Sequence, residues 1–533
     1  MTIANCDVII IGSGPAGVSA AFPLVNAGYK VMMLDGGMST GESPPTDAYD
    51  VWRRNDSFQQ NRMIGSNYYA FRKNSGDSPK LRVPLFEYVF KDFLSGNKIE
   101  GNNFSVTGSL ASGGLSNAWG AGVATFSRDE LKDFPCPIDD LYDSYESVAK
   151  RIGISGGVCD DMSSIFGVDS WSKKPVDLDH QHAYLLSRYS SNREYLIGKG
   201  FRMGRTRLAL LTSDFGDRKA CNLSGNCLWG CSGKSLYSAA DELAALQRYP
   251  NFVLRSGNVA TELVKGRDVW SVRCTSAVEK NTSFDSPRVI LAAGTLATTA
   301  LVLRMLNSFE KKEILTCPTA AFMLWIPSFL GAKRSKGFGS GQLAFNLDLD
   351  SQISALGATF STGGIPVTEF AKHLPIRVPS AIDVMRGILS SCVVGNLFLP
   401  GRHGKGVVGL SNNGVLKVSS SPNEEVDALM KKAYKILFAG YLRMGAIVLP
   451  GSFRLGKLGG DMHYSGSLPM RKKPRAAEVD EDGELFGCPD LYVVDGACLP
   501  FLSEKPHTFT IMANADRISR KLVGKLKRDC SRN

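Results

Sequence analysis

The stretch VIIIGSGPAG, Val8 to Gly17, runs four β-branched residues straight into Gly12-Ser13-Gly14-Pro15-Ala16-Gly17. The first four read as a buried strand and the following VSAAFPLVNAG as a helix, so the glycines fall where strand turns into helix. Gly12 permits the tight turn, Gly14 lets backbone approach a pyrophosphate, and Gly17 lets the helix pack on the strand with its positive N-terminus toward the phosphates. A second strand, KVMMLDGG, ends in Asp35, 18 residues beyond Gly17, the reach of a ribose hydroxyl; an acid there disfavours a 2′-phosphate. Pro23 inside the helix removes a backbone hydrogen bond and predicts a kink. The chain therefore opens as an α/β protein with a Rossmann-like dinucleotide domain.

A second match to the same pattern, Gly404-Lys405-Gly406-Val407-Val408-Gly409, is followed by LSNNGVLKVSS, whose turn and β-branched residues predict a hairpin rather than a helix. One genuine fingerprint favours a permanently held flavin over FAD plus NAD. At 533 residues the chain exceeds what one core supports, so two lobes are expected. The N-terminus lacks a basic and apolar leader pattern, and no apolar run approaches the roughly 18 residues of a membrane span. A cytoplasmic protein without a transmembrane segment is the expectation, and its twelve cysteines then read as mostly reduced thiols. The net charge of +11 is spread among acids, which argues against a nucleic-acid partner. Two basic clusters stand out: MRKKPR, Met470 to Arg475, read as a solvated loop or an attractor of acidic partners, and the tail RISRKLVGKLKRDCSRN, read as the end of a surface helix.

Several further stretches occur in the order seen in glucose-methanol-choline (GMC) oxidoreductases: GGLSNAWGAG (Gly113 to Gly122), RVILAAGTLATTALVLRML (Arg288 to Leu306), GDMHYSGSLPM (Gly460 to Met470), GELFGCPDLYVVDGACLP (Gly483 to Pro500) and PHTFTIMANADRIS (Pro506 to Ser519). The chain resembles that family, and FPCPIDDLYDSYESVAKRIGISG (Phe134 to Gly156) resembles its branch of pyranose oxidases and FAD sugar dehydrogenases. The resemblance implies a discontinuous layout. FAD-binding parts are expected at 1–155 (with an insertion at about 45–100), 216–315 and 457–533. A substrate-domain or lid segment is expected at 156–215 and a substrate-binding domain at 316–456. The strand-like GQLAFNLDLD, ISALGATFST, VVGNLFLP and GVLKVSSS suggest a mostly antiparallel sheet there, so the fold class is α/β in the FAD domain and α+β overall.

Of the six histidines, His180, His182, His373 and His403 read as surface or satisfied core residues. His463 and His507 fall in two of the family-like signatures. Carried over, His463 is the general base taking a hydroxyl proton and His507 orients the same oxygen. Alcohol oxidation requires both a proton acceptor on oxygen and a hydride acceptor facing carbon, which an imidazole and a flavin supply. The resemblance also implies cofactor contacts from Gly114 and Asn117, from Gly294, from Asp495 and Gly496, and from the helix N-terminus at Thr508, whose positive end suits a reduced flavin. Asn117 is read as a hydrogen-bond partner of the flavin N5 or O4 edge, or as a structural loop amide. Ala118 stands where relatives with covalent flavin carry histidine, so the FAD is expected to be non-covalent.

CNLSGNCLWGCSGKS, Cys221 to Ser235, spaces three cysteines as C-x5-C-x3-C. Zinc wants four ligands, and a disulfide does not suit the expected compartment. By resemblance, Cys221, Cys227 and Cys231 hold a 3Fe-4S cluster as in some sugar dehydrogenases; packed reduced thiols are the other reading. The leading function is FAD-dependent oxidation of a sugar, polyol or related alcohol, with electrons passed to a non-oxygen acceptor, an electron-acceptor protein among the partners. An oxygen-using oxidase and a flavin-binding relay subunit without a substrate are the alternatives.

Overall fold

The computed structural model describes residues 6–72, 78–276, 281–334, 337–372 and 374–530. His373 and the last three residues of the basic tail lie outside them.

Strand β1, Val8–Ile11, is buried along its whole length, as a β-branched run at the centre of a parallel sheet must be. It is flanked by β2, Val31–Leu34, and by Val289–Leu291; Leu491–Val493 and Phe252–Arg255 complete a five-stranded sheet in which every pairing is parallel. Its strands thus come from three separated parts of the chain. Helix α1, Pro15–Asn26, leaves β1 through the glycine turn and packs against the C-terminal helix Thr508–Cys530. That helix is buried through Ser519, and Arg517, 1% exposed, bonds to Asn514 and the Glu481 carbonyl. The tail is therefore a surface helix only from Arg520 onward, where Arg520, Lys521 and Lys525 pair with Asp516, Asp140 and Glu484.

The second large sheet has seven strands, all antiparallel, built on Phe201–Arg205, Thr319–Trp325, Gly341–Asp350, Ile353–Ser361 and Cys392–Phe398, with the short Ile447–Val448 and Arg454–Leu455 at one side. One face packs Phe201, Phe322 and Phe345 around Tyr441 of the helix Glu424–Arg443. Two glycines make this possible. A Cβ at Gly395 would sit 2.3 Å from the Phe322 ring, and one at Gly357 2.2 Å from the Phe345 ring. The opposite face looks toward the parallel sheet across a large cavity.

GVLKVSSS departs from expectation. Leu416–Ser419 pairs with Lys405–Leu410 as the foreseen hairpin, but this hairpin joins Lys312–Leu315 and Ile99–Asn102 in a separate four-stranded sheet. Alternating burial along Leu416–Ser419 fits any half-buried sheet, so its pattern does not choose the partner. Among the described residues no helix is long and apolar enough to cross a membrane.

Candidate active site

A cavity of about 1040 Å³ runs from the glycine turn after β1 to the open face of the seven-stranded sheet. At one end the α1 N-terminus and Gly12, Gly14 and Asp35 line it. Gly12 has φ 104°, and a Cβ there would meet the Ala292 carbonyl oxygen at 2.2 Å; a Cβ at Gly17 would lie 1.9 Å from the Gly12 oxygen. Asp35 is 5% exposed. Its Oδ2 accepts from Ser13 and Ser112 hydroxyls at 2.8 and 2.7 Å, while Oδ1 is buried without a hydrogen-bond partner. A buried, unused carboxylate oxygen at the end of β2 suits a ribose hydroxyl, and the α1 N-terminus suits a pyrophosphate, so these residues fit the adenosine half of FAD.

The middle of the cavity is closed by a network. The Asp495 Oδ2 accepts from the Gly294 amide (2.9 Å) and the Thr298 hydroxyl (2.5 Å), and its Oδ1 from the Ala497 amide (3.0 Å). Burial pushes its carboxyl up to about 6. Asp495 thus ties the turn before helix Thr295–Met305 to the segment carrying Gly496, and Gly294, Gly496, Gly114 and Thr508 all line the cavity. The C-terminal helix begins at Thr508, so its free N–H groups reach the same wall.

Of the two readings of Asn117, its hydrogen bonds are those of a structural loop amide. Its amide nitrogen donates to the Ser112 and Gly114 carbonyls, both at 2.9 Å, and its oxygen accepts from the Ser238 hydroxyl at 2.9 Å. The side chain is spent bracing its own loop and does not line the cavity, whereas its neighbour Ala118 does.

His463 and His507 meet where cofactor cradle and sheet converge, with ring centroids 4.7 Å apart and an interplanar angle of 73°. The Phe398 ring lies 5.3 Å from that of His463. Burial pushes the His463 imidazole down to about 4 and His507 well below its ordinary value, the latter with His463 adding to the effect. Both are neutral at pH 7 and able to accept a proton or hydrogen bond. Tyr464 anchors the loop: its hydroxyl lies 2.9 and 2.8 Å from the Ser105 and Gly459 carbonyl oxygens.

Asp461 is a residue that the sequence reading passed over. Fully buried, it stands with Oδ2 3.4 Å from the His463 Nδ1, an atom without a hydrogen-bond partner. The Thr316 hydroxyl (2.7 Å) and the Cys317 amide (3.0 Å) hold the carboxylate, and burial pushes it up to about 7. The signal was its place two residues before His463 in GDMHYSGSLPM. The other described histidines do different work: His182 bonds Asp179 at 2.7 Å, His403 lies 3.1 Å from Glu425, and His180 is exposed.

The cysteine loop lies beside the cavity, which Cys227 lines. Trp52, Trp229 and Tyr49 cage it, with Trp52 donating to the Asn226 side chain and Trp229 to the Gly364 carbonyl. Cys221 and Cys227 pack against Leu208, Leu210, Leu236 and Phe338. Burial raises both thiols, Cys227 to about 12, and the Cys231 Sγ accepts the Ser235 amide at 3.2 Å. Burial opposes the thiolates that a cluster requires, while the Lys80 ammonium and the Gly339 amide favour that of Cys227 and the Leu223 amide that of Cys221. None of the eleven cysteines whose side chains are described is in a disulfide. In MRKKPR, Met470 is buried while Arg471, Lys472, Lys473 and Arg475 are exposed, and the stretch lies outside the cavity.

Residues 454–515 match the family model described as GMC oxidoreductase, and residues 6–76 that of pyridine nucleotide-disulphide oxidoreductase. The chain is 24% identical over 559 residues to paromamine 6'-oxidase of Streptomyces fradiae and 23% over 555 residues to 6'''-hydroxyparomomycin C oxidase of Streptomyces lividus. Each alignment covers 98% of this chain and 92% of the relative. In fold it is similar to pyridoxine 4-oxidase from Mesorbium loti, with TM-score 0.61 and 14% identity over 97% of this chain and 99% of that one. It is likewise similar to an R554A formate oxidase of Aspergillus oryzae RIB40, with TM-score 0.62 and 12% identity over 99% and 100% of the two chains. The nucleotide cradle, the C-terminal signatures and the full-length relatives agree in their likeness to the GMC oxidoreductases, and the chain is an FAD-dependent oxidoreductase acting on CH–OH groups.

Proposed function

We propose that this enzyme oxidises a hydroxyl-bearing carbon of a sugar or related polyol, with His463 removing the hydroxyl proton and His507 orienting the same oxygen. The observation that carries the reading is the pairing of two neutral imidazoles at 4.7 Å in the neck of the cavity, between the cofactor cradle and the sheet. FAD supplies the hydride acceptor when bound; Gly12, Gly14 and Asp35 would hold its adenosine half, and the helix N-terminus at Thr508 its redox-active end. The balance is simple: the hydroxyl proton goes to His463, the carbon-bound hydrogen leaves with its electron pair, and a carbonyl remains. The sugar class is supported by the names of the Streptomyces relatives.

For the acceptor, the same names favour oxygen over the non-oxygen route expected from sequence, and the packed thiols of Cys221 and Cys227 favour it over a 3Fe-4S relay. The test reduces holoenzyme anaerobically with a panel of sugars, polyols and simple alcohols, then admits air. Bleaching by a carbohydrate, rapid return of colour with stoichiometric peroxide, and iron-free protein are expected. Bleaching that persists in air, or about three irons per chain, would restore the dehydrogenase reading. No bleaching by any alcohol would leave a relay subunit.

Asp461 gives this chemistry a pH dependence. Below about 7 its carboxyl is protonated and offers nothing to an imidazolium at 3.4 Å; above it, the carboxylate stabilises the charge that His463 acquires. The rate of flavin reduction therefore rises with pH through about 7. In Asp461→Asn the rise disappears, leaving a flat profile roughly 10- to 100-fold below the wild-type upper plateau. A parallel profile merely lowered in height would make Asp461 structural only.

A further inference from the structure

The open face of the seven-stranded sheet carries a pattern that the proton chemistry does not use. In register across neighbouring strands, Ala321 pairs with Asn396, Asn396 with Ala358, and Ala358 with Ala344. Residues in register share a face, so these four form one row, and all four line the cavity. Ala321 is exposed and Asn396 and Ala358 are partly so, while Ala320, Phe322 and Leu397 on the other face are buried. The exposure is therefore to the cavity. The row nearer His463 holds Phe398, and the row beyond holds Val394 between Met323 and Phe360. Three methyl side chains between bulkier rows make a furrow with one polar residue in it. The Asn396 Oδ1 is buried without a hydrogen-bond partner, an unstable arrangement for an amide unless something in the cavity answers it.

Asn396 lies two residues along its strand from Phe398, about 7 Å, close enough to meet a hydroxyl on the same ring as a carbon presented to His463. The Oδ1 accepts from a hydroxyl or an ammonium alike, but the amide nitrogen is a donor that only an acceptor can answer, which a hydroxyl is and an ammonium is not. The charges of this half of the cavity point the same way. Arg454 and Lys457 lie exposed on its rim, and Glu369 is taken by Arg82 (2.6 Å) and Lys372 (2.8 Å). Asp461 is held behind His463, and Glu504 accepts the Ser354 and Ser503 hydroxyls. Among the described residues every carboxylate lining this half already has partners: Glu369 two cations, Asp461 a hydroxyl and an amide, Glu504 two hydroxyls.

We propose that the furrow Ala321–Asn396–Ala358–Ala344 is a substrate subsite in which the Asn396 amide hydrogen-bonds a hydroxyl of a neutral or anionic carbohydrate. The aliphatic walls face the C–H surfaces of the ring, and the subsite selects against the polycationic amino sugars. This rests on the carbohydrate reading above and adds to it which carbohydrates are accepted and which residue reads them.

Binding is measured on oxidised holoenzyme through the perturbation of the flavin absorption bands, which registers a ligand beside the cofactor whether or not it reacts. The probes are neutral hexoses and pentoses, uronates, amino sugars and cyclohexanol. Neutral sugars or uronates are expected to bind more tightly than the matching amino sugars. Asn396→Leu weakens their binding roughly 10- to 100-fold, with cyclohexanol changed less than about threefold. Should Asn396→Leu fail to hold flavin, Asn396→Asp serves: it shifts preference toward amino sugars by at least about tenfold. Carbohydrate binding that is equal in wild type and variants overturns the subsite, as does a wild type that binds only amino sugars or no carbohydrate. Carbohydrate binding that depends on Asn396 but never bleaches the flavin keeps the subsite and sinks the oxidation reading instead.

Discussion

His463→Ala holoenzyme is expected to stay yellow and to be reduced by its substrate about 100- to 10,000-fold more slowly than wild type, the range for loss of a positioned acid–base group. The cofactor should remain because the nucleotide cradle is built elsewhere, from Gly12, Gly14, Asp35 and the Asp495 network. The rate should fall because the proton acceptor on the hydroxyl is gone. The neighbouring His507 is itself held well below the ordinary imidazole range by burial and by His463, and Asp461 sits behind the His463 ring. His507→Ala should slow reduction by less, since losing an orienting hydrogen bond leaves the proton acceptor in place. The measurement is anaerobic stopped-flow bleaching at saturating substrate, with flavin content of each variant determined first. Near wild-type rates in both variants would move the chemistry away from this pair.

Gly17→Ala should all but abolish recovery of flavin-loaded protein, lowering the flavin-to-protein ratio at least about tenfold, with overpacking of this kind costing about 1–3 kcal/mol or more. The added methyl would come 1.9 Å from the Gly12 carbonyl oxygen. That oxygen cannot yield, because Gly12 is itself pressed against the Ala292 carbonyl at φ 104°. Helix α1 would have to lift from β1, carrying its N-terminus away from the phosphate site and disturbing its contact with the C-terminal helix. Gly41→Ala, where a Cβ meets nothing within 4 Å, is the matched control and should retain its flavin. A Gly17→Ala protein with full flavin content would show that the turn has slack that the packing does not suggest.

What could be read from the chain alone was what local chemistry dictates. The step from VIII to glycine turn to helix is written within a few residues, and Asp35 follows at a fixed distance because the strand and helix between them have fixed lengths. His463 and His507 could be nominated because each sits in a recognisable signature. What could not be read was how side chains separated by long stretches meet. Asn117 was placed by its motif, but which way its amide turns depends on the Ser238 hydroxyl, 121 positions away. Asp461 is held by Thr316 and Cys317, some 145 positions earlier, so its burial had no local trace. Leu416–Ser419 shows the same limit at the level of a strand. The furrow was hidden most completely, since Ala321, Ala344, Ala358 and Asn396 become neighbours only through the registers of four strands.

The two faces of that sheet also differ in how freely they can change over generations. On the back, Gly395 and Gly357 are locked under the rings of Phe322 and Phe345, so a replacement at one position demands a compensating replacement across the strand. On the front, Ala321, Ala358 and Val394 border open space, and each can be enlarged or made polar with little consequence for the layer behind it. Strand alternation therefore separates heritable variation in what the enzyme accepts from variation in whether it folds, and gives a lineage built on this chain room to acquire new substrates by single substitutions.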